Sequence, residues 1–313
     1  MKVAHISDLH LLALEGLSVK RLANKRLTGW VNLKLRRESH HHDYAAHAVA
    51  RAIRARRDID HVVVTGDVSN LALEGEFERV RAYLGDELGR RGDELSLVPG
   101  NHDAYTQGAH RTARFERIFA PYLKSDLPDA SLLTDAGAYP YVRLRGKLAI
   151  VGVSSAVPRP PLVASGRVGK LQRVALHGLL AHREVRARTP LILIHHPWHN
   201  PPSRTKTWLG GLEDARELRD VLDGVAHGTV LHGHLHRRTR STIPNARGGI
   251  EAIGATSASL VHDDEDRMSG SNLYTFDDAS GHRTDVEALR MDSHGAAFVP
   301  TPIPTAASQR ASA

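Results

Sequence analysis

Not one of the 313 residues is cysteine. Disulfides, thiolate metal sites and thiol nucleophiles are therefore excluded. Aromatic residues make up only 5%, which leaves few platforms for stacking the bases of a single strand. No run of about 18 or more apolar residues occurs, so no segment is expected to span a membrane. The opening MKVAHISDLH has neither the apolar h-region nor the small-residue cleavage site of a secretory signal. A cytoplasmic protein is expected, and the lack of cysteine fits.

What is present reads as one soluble domain. Hydrophobic residues make up 41% and charged residues 25%, enough for one substantial core. The net charge of +7 favours anionic partners such as phosphate esters, nucleic acid or acidic lipid. It does not choose among them, and an arginine-rich composition accounts for it equally well. Short β-branched runs at Val3–Ile6, His61–Val64, Leu95–Val98, Leu148–Val153, Leu191–Ile194 and Thr229–Leu231 alternate with helix-like patterns. Those patterns lie at Ala45–Arg57, Glu74–Gly89, Arg111–Leu123, Lys170–Arg188 and Glu213–Asp223. The alternation predicts an α/β protein, and near-continuous apolar strands predict sheets covered on both faces. Ile250–Ile253 and Asn272–Phe276 read as later antiparallel strands. One domain is expected over residues 1–295, with a disordered Pro/Thr/Ala/Ser-rich tail over 296–313.

Within the domain, Ser18–His42 is a basic amphipathic insertion. It carries Lys20, Arg21, Lys25, Arg26, Lys34, Arg36 and Arg37 against Glu38 alone, interleaved with Leu22, Leu27, Trp30, Val31, Leu33 and Leu35. Such a segment can make peripheral contact with an anionic membrane, here the inner membrane surface. A plain helical insertion, packed by its Leu/Trp face, is the other reading.

Five polar clusters each follow an apolar strand. They are Asp8-Leu9-His10, Gly66-Asp67, Gly100-Asn101-His102-Asp103, His195-His196-Pro197 and Gly233-His234-Leu235-His236. In open α/β sheets, sites form outside the carboxyl ends of strands, so five such loops can converge. Carboxylate, amide oxygen and imidazole are ligands for Mn, Fe, Zn and related ions. If the strands continued through them, Asp8 and His10 would share a face, as would His234 and His236. One Asp-x-His arises often by chance; five clusters at five strand ends do not. His196 is expected to support the site or touch substrate, and His232 to be structural. The run His40-His41-His42 is expected to be a solvated loop, and Arg204, Lys206 and Trp208 a basic, aromatic loop.

The five clusters, in this order, resemble the motif set of the calcineurin-like metallophosphoesterases, from about Lys2 to His236. The resemblance implies a four-layer α/β/β/α sandwich with mixed sheets and a metal site at the C-terminal ends of the strands. It implies two divalent or trivalent ions (Mn, Fe or Zn). Asp8, His10 and His236 would bind the first and Asn101, His195 and His234 the second, with Asp67 bridging. It further implies that a hydroxide bridging the ions hydrolyses a phosphate ester, by preference a phosphodiester. His102 would stand by the leaving oxygen, and Asp103 would orient His102. Asn70 departs from the family pattern, which often has Asp there, and its role is left open. The alternatives are a lipid-linked nucleotide-sugar pyrophosphatase at a membrane surface and a metal-dependent nuclease. With every ligand position filled, a non-catalytic scaffold is the least favoured reading. Substrate and oligomeric state are not legible.

Overall fold

The computed structural model describes residues 1–13, 41–128, 138–201, 203–292, 295 and 297–305. All of the Ser18–His42 insertion except His41 and His42 lies outside the described residues.

Two six-stranded mixed sheets form the centre. The first has the order β12-β11-β10-β1-β2-β3. Its parallel half is β1 (Lys2–Ile6), β2 (His61–Thr65) and β3 (Leu95–Val98). Its antiparallel half is β10 (Gly270–Phe276), β11 (Arg283–Met291) and β12 (Phe298–Thr301). The second sheet has the order β4-β5-β6-β7-β9-β8. Its strands are β4 (Tyr141–Arg145), β5 (Leu148–Gly152), β6 (Thr189–Leu193), β7 (Thr229–His232), β8 (Thr239–Ile243) and β9 (Ile250–Gly254). The helices are α1 (Asp43–Ala55), α2 (Glu74–Ala82), α3 (Gln107–Arg111), α4 (Arg114–Ile118), α5 (Lys170–Ala181), α6 (Arg183–Arg186), α7 (Arg204–Gly210) and α8 (Ala215–Val221). Among the described residues, no helix is long and apolar enough to cross a membrane.

Strand alternation builds the layers. Leu148 and Ile150 of β5 face the first sheet, in one core with Val64 and Leu97. Ala149 and Val151 face the other way, onto Leu176 and Leu179 of α5 and Leu218 of α8. Val49 and Ile53 of α1 and Phe77 of α2 cover the first sheet. The expected four-layer sandwich is thus present, because both faces of each sheet carry apolar side chains.

The differences from expectation are local. The pattern over Glu74–Gly89 holds α2 and then a π-helical turn at Tyr83–Glu87. The pattern over Arg111–Leu123 is broken, with Ala113 in a left-handed conformation before α4. Arg204–Gly210 is a helix, capped by Ser203, where a loop is expected. The disordered tail expected from Ala296 is corrected at its start, because β12 extends the first sheet. Phe298 packs on the core, and the β12 backbone pairs with β11.

The two sheets are stitched at one edge by a single hydroxyl. β3 ends the first sheet, so its outward main-chain groups have no strand partner. Tyr141 Oη accepts from Leu97 N and donates to Leu97 O, both at 2.9 Å. Tyr141→Phe leaves both groups buried and unpaired, at a cost of about 1–3 kcal/mol. Urea unfolding measures it, and a loss below about 0.5 kcal/mol refutes the stitch.

Candidate metal centre

The five clusters lie where β1, β2, β3, β6 and β7 end, and they meet. The strands stop short of the polar residues: β1 ends at Ile6 and β7 at His232. Asp8, His10, Asp67, His234 and His236 then take left-handed backbone conformations, with φ of 51°, 47°, 48°, 69° and 48°. Asp8 and His10, and His234 and His236, therefore do not share a strand face as expected. Each Asp-x-His or His-x-His pair converges through two left-handed turns, and each such residue costs on the order of 1–3 kcal/mol. Main-chain bonds between loops over-determine these turns. Asp8 N and His10 N donate to Gly66 O and Asp67 O, both at 3.0 Å. Gly233 N donates to His195 O at 3.1 Å. Ser257 Oγ donates to Asp8 O at 2.6 Å.

Two glycines permit the approach. A Cβ on Gly100 would overlap the Asp67 carboxylate and amide. Gly66 has φ of +86°, and a Cβ there would lie 2.6 Å from Gly100 N.

The side chains form two adjoining sets. In one, His195 Nε2 lies 3.1 Å from Asn101 Oδ1 and 3.3 Å from Asp67 Oδ2. His234 Nδ1 lies 3.1 Å from Asn101 Oδ1 and 3.3 Å from His195 Nε2. In the other, His10 Nε2 and His236 Nε2 are 3.1 Å apart, and Asp8 Oδ1 is 3.1 Å from His236 Nε2. Asp8 Oδ1 and Asp67 Oδ2 each lie 4.0 Å from His10 Nε2. Asp67 belongs to both sets. An ion with ligands at about 2.0–2.2 Å separates adjacent donors by about 3.0–3.5 Å and opposite ones by about 4.2 Å. The distances fit.

The donor chemistry fits as well. His195 Nδ1–H donates to Thr65 O at 2.7 Å, and His234 Nε2–H to Gly210 O at 2.8 Å. Those carbonyls fix the tautomers and aim a lone pair of each neutral ring inward. Two such nitrogens, an amide oxygen and a carboxylate oxygen then converge, all of them acceptors. Only a cation or an added proton satisfies them. In the bare protein burial pulls the His195 pKa down, but the Asp67 carboxylate outweighs it and raises it to about 9. Burial opposes ionisation of Asp67, yet the imidazoles, His195 first, hold it well below the usual carboxylate range. Asp8 is fully buried, Asp67 is 2% exposed and His195 fully buried.

The role expected of Asp103 is corrected. Its Oδ1 accepts from Ser69 N at 2.9 Å and Ser69 Oγ at 2.8 Å. Its Oδ2 accepts from Val68 N at 3.2 Å and Gly100 N at 2.9 Å. Asp103 thus ties the Asp67 loop to the Asn101 loop. Asn70 O is what orients His102, accepting from its Nδ1 at 2.7 Å, while Asn70 Nδ2 donates to His10 O at 2.7 Å. Asn70, the position that departs from the family pattern, so holds two site residues. Tyr105 stacks on the His102 ring at 5.6 Å. The His196 ring packs against that of His234, with centroids 4.4 Å apart; Ser155 Oγ lies 2.7 Å from its Nδ1, and its Nε2–H donates to Ala164 O at 2.8 Å. His232 is buried, as a structural residue would be.

His41 was missed, and its placement corrects the expected solvated loop. Its donor atom joins those of His10 and His236 within a mutual 4.8 Å. A run of three histidines gave the signal, but nothing in the spacing tied it to motifs some thirty residues upstream. His40 lies outside the described residues.

The sequence model of one family, described as calcineurin-like phosphoesterase, matches residues 1–238. No curated protein matches the chain in sequence. Among solved structures, a dimetal phosphatase from Danio rerio is similar at 14% identity and a TM-score of 0.51, with 97% of this chain and 99% of that one covered. A purple acid phosphatase from yellow lupin (Lupinus luteus) seeds is similar at 12% identity and a TM-score of 0.56. There 96% of this chain is covered, and it spans 52% of the lupin chain. At these identities the likeness is one of fold.

The loop after Asp67 hangs on a buried carboxylate outside the motifs. Glu76 accepts from Asn70 N at 3.3 Å, Leu71 N at 2.9 Å and Leu73 N at 3.0 Å. Glu76→Ala orphans three buried N–H groups and is expected to cost about 2–4 kcal/mol. Thermal or urea unfolding reads the loss. A wild-type midpoint would mean that the loop does not depend on Glu76.

Proposed function

The chain belongs to the calcineurin-like phosphoesterase family, and from that premise we propose that it hydrolyses a phosphodiester with two metal ions. Asp8, His10 and His236, with Asp67 shared, would hold the first ion. Asn101, His195 and His234, again with Asp67, would hold the second. The observation that carries the reading is the Asp67 carboxylate, whose Oδ2 lies 3.3 Å from His195 Nε2 in one set and 4.0 Å from His10 Nε2 in the other. When bound, the ions supply a water acidified towards neutral pH and positive charge beside the phosphoryl oxygens.

The chain's own residues do the rest. Asp67 Oδ1 accepts from His102 N at 2.7 Å, so the same carboxylate also places the His102 backbone. With Nδ1–H given to Asn70 O, the imidazolium form of His102 presents Nε2–H. That group can deliver a proton to a departing alkoxide.

Exposed apolar side chains on and beside the loop that carries His234 and His236 support the diester reading, because a diester has a second substituent that they could meet and a monoester lacks it. Leu235, between two ligands, is 45% exposed, and Trp208, on the helix whose Gly210 O holds His234, is 50% exposed. Leu209 of the same helix and Leu162 are also exposed, and Leu209 O accepts from Ala164 N beside Leu162. Four apolar side chains here favour a substrate with an apolar group. They also support the second reading, a lipid-linked pyrophosphate.

Hydrolysis of bis(p-nitrophenyl) phosphate, p-nitrophenyl phosphate and an alkyl-tailed pyrophosphate, with Mn²⁺ or with chelator, tests the proposal. Chelator-sensitive cleavage faster on the diester is expected, falling about 10²–10³-fold or more in Asp67→Ala. A faster monoester reaction overturns the diester preference, and the tailed substrate outpacing both favours the second reading. His102→Ala is expected to slow an alkyl diester about 10²–10⁴-fold. It should slow bis(p-nitrophenyl) phosphate far less, because p-nitrophenolate leaves without a proton. Equal losses on both would remove His102 as the acid.

A further inference from the structure

The imidazole of His41 stands at the metal centre although it belongs to none of the five motifs. Its ring centroid lies 4.8 Å from that of His10 and 5.3 Å from that of His236. The spacing matches that of His10 and His236 themselves, 5.0 Å. We propose that His41 is a further ligand of the first metal position, beside Asp8, His10, Asp67 and His236; this rests on the dinuclear reading above.

The ring is held at its far nitrogen, as those of His195 and His234 are, but by a hydroxyl where theirs are held by carbonyls. His41 Nδ1 lies 2.8 Å from Ser259 Oγ. With Nδ1–H donated there, Nε2 carries the lone pair, the arrangement that orients metal-binding imidazoles. Ser259 Oγ is 3.3 Å from Ser257 Oγ, which donates to Asp8 O at 2.6 Å. The hydroxyl chain thus runs from the His41 ring to the backbone of another ligand. His42 N donates to Ser259 O at 2.8 Å, and His41 bridges Leu260, so the backbone is pinned as well.

Arg79 of α2 reaches both sides of the insertion. It donates to Leu12 O and pairs with Asp43 at 2.6 Å. Ligation by His41 therefore joins the occupancy of the first metal position to the point where the chain returns from residues 14–40. A third imidazole at that position also favours nitrogen-preferring ions such as Zn²⁺ and Co²⁺ over Mn²⁺.

The test is calorimetric titration of the metal-stripped, full-length protein with Zn²⁺ and with Mn²⁺, for wild type, His41→Ala and Ser259→Ala. Wild type is expected to bind two ions. In His41→Ala one binding step should weaken about 10–100-fold, more for Zn²⁺ than for Mn²⁺, and the other should stay unchanged. Ser259→Ala, which keeps His41 in place, should weaken the same step by less and serves if His41→Ala fails to fold. Unchanged affinities at both steps overturn the assignment of His41 and leave the dinuclear reading intact. A wild type that binds fewer than two ions overturns the dinuclear reading itself, and the assignment with it.

Discussion

Asp8 and Asp67 are two carboxylates at 0% and 2% exposure in one small volume. Buried carboxylates are tolerated only when hydrogen-bonded and paired with positive charge. The hydrogen bonds come from main chain: His234 N donates to Asp8 Oδ2 at 3.1 Å and His102 N to Asp67 Oδ1 at 2.7 Å. The positive charge does not come from lysine or arginine, because among the described residues neither pairs with these two acids. It is left to imidazoles, which can shed their protons. A permanent cation would hold the position for good. Imidazoles would give it up to a metal ion that displaced their protons.

That requirement governs the backbone. Bringing acids and imidazoles from five strand ends to one place needs sharper turns than extended chain allows. Five of the residues concerned are in left-handed conformations without being glycine. Their strain persists because each loop is hydrogen-bonded to its neighbour. The Asp8 loop lies on Gly66 O and Asp67 O, the Gly233 loop on His195 O, and the Asp67 loop on the Asp103 carboxylate.

The layers were legible in the sequence because apolar alternation is a local signal. Runs such as Leu148–Val153 distribute their side chains to two faces whatever lies on those faces. That the motif residues converge was legible because Asp, Asn and His recur together at five strand ends, while the ion each would hold came only from the family resemblance. Boundaries after strands were not. Asp8 and His10 look like strand continuation, and nothing local marks a left-handed turn at a non-glycine residue. Asp103 was assigned to His102 by the family resemblance, whereas its oxygens reach across to Val68 and Ser69. Phe298–Thr301 reads as tail by composition and becomes a strand only because β11 offers a free edge. His41 and Glu76 depend on long-range contacts that no periodicity encodes.

The rings most tightly constrained at this centre are oriented by main-chain carbonyls. Thr65 O holds His195, Gly210 O holds His234 and Asn70 O holds His102. A carbonyl is supplied by every residue type, so these positions leave no trace in side-chain identity. They nevertheless decide that His195 presents Nε2 and His234 presents Nδ1, and hence on which side of each ring an ion can sit. The information that selects tautomers is carried by where β2 and α7 end, which is a property of the fold. A ligand motif can therefore name the atoms of the site, while only the sheets and helix ends determine which nitrogen each histidine offers.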